Sequence, residues 1–91
     1  MVTLGELKDR MSRLKDWSLE EDKIVKDVEF TNFKEAMEYV NEIAEIAEKI
    51  QHHPQIIIDY NRVKITSTTH NPVGLTMKDF DLAEEIDKLG K

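Results

Sequence analysis

The stretch between Asn32 and Pro54 constrains the fold more than any other part of the chain. Phe33, Ala36, Met37, Val40, Ile43, Ala44, Ala47 and Ile50 recur there at helical spacing. Such spacing lays an apolar stripe along one side of a helix, and that stripe has to be covered by another layer. Asn32-x-x-Glu35 has the form of a capping box at its start. Pro54 disfavours helical geometry at His53, so the helix is predicted to stop near Gln51 or His52. A pair of short extended segments lies on either side. A long helix between two β-pairs favours an antiparallel sheet with helices layered on one face.

The flanking segments carry their own signals. Thr3-x-x-Glu6 is a capping box, with Val2 and Leu7 placed as a hydrophobic staple. Leu7, Met11 and Leu14 give the first helix an apolar side. Residues 17–19 read as a short strand, Glu20-Glu21-Asp22 as a turn and residues 23–30 as a second strand. There Ile24, Val28 and Phe30 share a face with Lys26 among them, an imperfect alternation. Residues 56–60 and 63–69 are rich in β-branched side chains around Asn61-Arg62 and read as a hairpin. In its second arm Val63, Ile65, Ser67 and Thr69 share one face, and His70 falls on the other, more polar one. Asn71-Pro72-Val73-Gly74 is turn chemistry. Thr76-x-x-Asp79 then opens a last helix carrying Phe80, Leu82, Ala83, Ile86 and Leu89. The expected fold is α+β, in the order α-β-β-α-β-β-α, with a four-stranded antiparallel sheet.

Ninety-one residues suffice for one domain, residues 1–91, and no second core. The absence of cysteine removes disulfides, thiolate metal sites and cysteine nucleophiles. A formal charge of −6 with no basic patch argues against nucleic acid as a partner. No apolar run approaches membrane-spanning length, so no membrane is expected. Residues 1–6 lack the layout of a signal peptide, which makes the cytoplasm the expected location.

The chemistry-bearing residues are the histidines, His52, His53 and His70. Histidine titrates near neutrality, and two imidazoles in different surroundings can supply an acid and a base at once. The partial negative charge at a helix C-terminus suits His52 to the acid role, leaving His70 as the base; a carboxylate beside His70 would reverse the two. A metal site is disfavoured: adjacent histidines at a helix end point about 100° apart, and no His-x-x-x-His or Glu-x-x-His pair is present. Plainer roles stand beside these. A histidine at a helix end can simply cap free carbonyls. Glu48 lies one turn before His52 and fits an i,i+4 pair. Asp79 can complete the capping box with Thr76. Tyr60 fits packing before a turn, and Trp17 a core aromatic or a flat wall for a ring.

Taken together, Glu48-x-x-x-His52-His53-Pro54, Tyr60-Asn61-Arg62-Val63, Thr69-His70 and Gly74-Leu75-Thr76-x-x-Asp79-Phe80-x-Leu82-Ala83 resemble the pterin-4a-carbinolamine dehydratases, as does Trp17. The resemblance runs from Trp17 to Ala83. It implies a four-stranded antiparallel sheet with helices on one face, and a cofactor-free dehydration of 4a-hydroxytetrahydropterin to quinonoid dihydropterin in pterin recycling. It implies His52 and His70 as the acid–base pair and His53 as a further catalytic group holding the pterin substrate. Asp79, Trp17 and Glu48 would support the substrate or a histidine. A homodimer or homotetramer is also implied. Many members follow the His-His-Pro triplet with an acidic residue and an aromatic, where this chain has Gln55-Ile56, a change at the pocket rim or at subunit contacts. A non-catalytic dimerisation or protein-binding module on the same fold is the alternative.

Overall fold

A computed structural model describes residues 2–91. Helix α1 (Leu4–Ser12) is followed by β1 (Ser18–Glu20) and β2 (Lys23–Glu29). Helix α2 (Phe33–Ile50) comes next, then β3 (Gln55–Asp59) and β4 (Arg62–Ser67). A two-residue pair, β5 (Thr69–His70) and β6 (Val73–Gly74), precedes α3 (Met77–Asp87). The main sheet is antiparallel in the order β1-β2-β4-β3. Strand β4 therefore lies between β2 and β3, the two strands that α2 connects. The fold class and the order of the main elements agree with the sequence reading.

The caps place the helices. Thr3 Oγ1 accepts from the Glu6 amide at 3.1 Å, and Glu6 Oε1 accepts from the Thr3 amide at 2.9 Å. At α2, Asn32 Oδ1 accepts from the Glu35 amide at 2.9 Å, but the Glu35 side chain reaches Thr31 and not Asn32. Helix α2 ends at Ile50 because Gln51 is left-handed, with φ 55°. The stripe read on α2 packs in part: Ala36, Ile43 and Ala47 are buried and Met37, Val40 and Ile50 partly so, whereas Phe33 and Ala44 are exposed and Tyr39, outside the stripe, takes a buried place. Ala36, Tyr39, Ile43 and Ala47 are buried in one cluster with Ile24, Val63 and Ile65 of the sheet and Phe80, Leu82, Ala83 and Ile86 of α3. Arg10 ties α1 to α3, lying between Asp81 at 2.7 Å and Glu84 at 2.8 Å and over the ring of Phe80.

Lys26 explains the imperfect alternation of β2. It does face the core, 2% exposed, and its ammonium meets Asp87 Oδ1 at 2.8 Å and the backbone carbonyl of Lys91. Asp87 also accepts from Trp17 Nε1 at 2.9 Å and from the Lys15 amide at 2.8 Å. A buried ammonium is tolerable when it is paired and hydrogen-bonded in this way. Two details of the strands differ from expectation. The hairpin loop is Tyr60-Asn61, since Asp59 pairs with Arg62. The second arm does not run unbroken to Thr69: it ends at Ser67, and Thr69–His70 pairs instead with Val73–Gly74. The Thr68 hydroxyl donates to the Asp22 carbonyl and that of Thr69 to Asp79, so the two side chains are drawn to different partners.

Candidate active site

The left-handed turn at Gln51 carries the chain off the end of α2 and places His52 over the first turn of α3. There Asp79 is fully buried, yet both carboxylate oxygens are occupied. Oδ1 lies 2.6 Å from His52 Nε2 and accepts from the Ser67 hydroxyl at 2.6 Å. Oδ2 accepts from the Thr69 hydroxyl at 2.8 Å and the Thr76 amide at 2.9 Å. A buried carboxylate needs such a set of donors to be stable without water. One of the four, the Thr76 amide, is the capping contact foreseen from Thr76-x-x-Asp79, so the same carboxylate caps α3 and holds a histidine. The bond fixes the His52 ring with Nε2 on Asp79, and the residue lines the cavity in front of it.

That cavity has a volume of about 590 Å³, within the range of small-molecule sites. His52, His53 and His70 all line it, with Thr68, Thr69 and Met77 among its other walls. The histidines arrive from two directions: His52 and His53 from the segment after α2, and His70 from β5. His52 is mostly covered, its side chain 12% exposed. His53 is exposed and its Nε2 lies 2.5 Å from Glu48 Oε2. Glu48 thus pairs with His53, not with His52 as its i,i+4 spacing suggested. The reason is again Gln51: once the helix ends, His52 no longer continues the face on which Glu48 stands. Among the described residues no side chain holds the ring of His70, which is exposed at the cavity.

Two of the residues singled out in the sequence are not part of this constellation. Trp17 does not line the cavity; its ring is buried in the core and its indole N–H is committed to Asp87. Tyr60 stands 64% exposed at the β3–β4 turn. Conversely, Ser67, Thr69 and Thr76 belong to the site through Asp79, although the sequence placed them only on a strand face, beside His70 and in a capping box. The available signal was a pair of hydroxyl residues continuing the core-facing side of a strand, where a polar group requires a partner. Among the described residues no cluster of three or more histidine, aspartate or glutamate side chains is placed to hold a metal ion. No helix among them is long and apolar enough to cross a membrane.

The family model described as pterin 4 alpha carbinolamine dehydratase matches residues 2–89. A relative from Picosynechococcus, whose pterin-4-alpha-carbinolamine dehydratase name is itself provisional, is 45% identical over 97% of this chain and 96% of its own length. The crystal structure of a transcriptional coactivator/pterin dehydratase from Brucella melitensis superposes with a TM-score of 0.92 at 28% identity, covering 99% of this chain and 98% of that one. A pterin dehydratase-like protein described as a RuBisCO assembly factor of the alpha-carboxysome shares the fold, with a TM-score of 0.68 and 19% identity over 85% of this chain and 92% of its own. With a family match spanning nearly every residue, the chain belongs to the pterin 4 alpha carbinolamine dehydratase family.

Proposed function

We propose that this protein removes water from a 4a-hydroxytetrahydropterin to give the quinonoid dihydropterin, using histidine side chains and no cofactor. The observation that carries this reading is the placement of His52, His53 and His70 around one cavity, with His52 anchored on the buried Asp79. The elimination needs two proton movements. A base takes the proton from N5, the N–H electrons form the C4a=N5 bond, and an acid protonates the departing 4a-hydroxyl as water. His52 is the acid: its inner nitrogen is held by Asp79, which also offsets the positive charge while the ring carries two protons. His70 is the base and His53, braced by Glu48, holds the substrate. General acid–base assistance of this kind is worth about 10² or more in rate. Pterin recycling in the cytoplasm is the setting this chemistry fits.

The unpaired edge of β3 exposes Ile57 and Ile58, which offers a surface for the dimer or tetramer that the family resemblance implies. The test of function is dehydration of chemically generated 4a-hydroxytetrahydropterin, followed by absorbance of the quinonoid product. The native chain is expected to accelerate it and a His52→Ala, His70→Ala variant is not. Folded native protein giving no acceleration would overturn the proposal in favour of a binding role on this fold.

A further inference from the structure

The cavity in front of His52 does not end at the other two histidines. A second, smaller depression of about 170 Å³ begins there, and His53, Thr68 and His70 line both. Its remaining walls are Lys23, Gln55 and Thr66. The strand register explains the grouping. Gln55 is opposite Thr66 on the β3–β4 pair, and Val25 opposite Thr66 on β2–β4, which puts Lys23, Gln55, Thr66 and Thr68 on the sheet face turned away from the helices. The Thr68 hydroxyl is committed to the Asp22 carbonyl at 2.8 Å. Lys23, Gln55 and Thr66 are therefore the groups that an occupant would meet. Three acidic residues precede Lys23, yet among the described residues it forms no ion pair, and Glu20 is instead near the Ser18 hydroxyl at 3.3 Å.

We infer that this smaller depression is the subsite for the substituent at C6 of the pterin, and that Lys23 selects substituents carrying an anionic group. The inference rests on the proposed dehydration and extends it. In a pterin, N5 is bonded to both C4a and C6. A histidine that takes the N5 proton while another group meets the 4a-hydroxyl therefore stands next to the root of the C6 substituent. The side chain must leave the ring beside His70 and His53, where the second depression opens. Its size admits a chain of a few heavy atoms and no second ring system. A lone ammonium flanked by an amide and a hydroxyl is a donor-rich wall that suits a phosphate or carboxylate. Lys78, which lines the larger cavity and not the smaller depression, also forms no ion pair among the described residues and supplies the control.

The experiment is a fluorescence titration of the native chain, Lys23→Ala and Lys78→Ala with stable oxidised pterins. The probes are 6-methylpterin, biopterin, pterin-6-carboxylate and neopterin monophosphate. Native protein is expected to bind at least one of the two anionic pterins about fivefold more tightly than 6-methylpterin, the effect of one exposed ion pair. Comparing the phosphate with the carboxylate shows which anion the site prefers. The advantage should shrink as salt is raised, disappear in Lys23→Ala and persist in Lys78→Ala, while 6-methylpterin binds Lys23→Ala as it binds the native chain. Equal binding of all four by the native chain, or an advantage lost in Lys78→Ala and kept in Lys23→Ala, overturns the subsite and leaves the dehydratase reading standing. Failure of every pterin to bind folded native protein overturns both.

Discussion

His52 Nε2 and Asp79 Oδ1 are 2.6 Å apart, and the hydroxyls of Ser67 and Thr69 and the amide of Thr76 satisfy the rest of the carboxylate. The histidine is thereby attached to the sheet and to the last helix through one buried group. Replacing Asp79 by Asn preserves the shape but turns one acceptor into a donor facing other donors. The dehydration kcat is expected to fall about 10²-fold, with a changed pH profile as the sign that proton transfer and not folding is affected. Asp79→Ala strands several buried donors and should lower stability by about 3 kcal/mol, read by urea unfolding.

Single replacement of His52 or His70 by Ala should each cut kcat/KM for dehydration by about 10² or more. Equal activity of both variants with the native chain would remove them from the acid–base roles.

The His53–Glu48 pair is exposed on both sides, with side chains 57% and 71% accessible. Glu48→Gln should therefore change stability by less than about 1 kcal/mol. Any kinetic effect should appear in KM, because the pair braces a substrate-holding group; a loss confined to kcat would contradict that role.

Tyr39 is buried with its hydroxyl unpartnered, and burial, helped by the nearby Asp87 charge, pushes its pKa up to about 12. The raised value means that the folded state favours the neutral phenol. That contribution is complete below pH 10, the ordinary tyrosine value, and is lost as pH rises toward 12. Tyr39→Phe should flatten the fall in stability over that window. Removing an unsatisfied hydroxyl should also raise stability near neutrality by about 1 kcal/mol. Paired pH-dependent unfolding curves check both.

Lys26 and Asp87 form a buried pair. Lys26→Met should cost about 3 kcal/mol by leaving the carboxylate without its counter-charge. Combining it with Asp87→Asn, which can still accept from Trp17, should recover part of the loss; no recovery would place the effect in packing.

What could be read from the residues divides along the range of the interactions involved. Caps, helix spacing and alternation act within a few positions, so Thr3-x-x-Glu6, the centre of the α2 stripe at Ala36, Ile43 and Ala47, and the face shared by Val63, Ile65 and Ser67 were all visible. Contacts set by tertiary approach were not. The Trp17 ring suits a pocket wall as well as a core, and its hydrogen bond to an aspartate seventy positions away decides the matter. The shift of Glu48 to His53 depends on one left-handed residue, Gln51, in a position where glycine is the usual marker. The family signature carried the identities of the histidines, whereas their common cavity depends on the break between β4 and β5.

The position of β4 between β2 and β3 has a consequence for the birth of the chain. Ile24 pairs with Ser67, and neither central strand is complete on both sides until residues 62–67 have been made. A nascent chain that has emerged only through α2 has the β1–β2 hairpin and a helix whose apolar side awaits its cover. Closing that long loop places the rate of sheet formation under the control of a distant pairing. The site is assembled later still, when Asp79 arrives on α3 to meet His52, so that a translation product cut short before the last helix carries all three histidines and no means of holding the first of them in place.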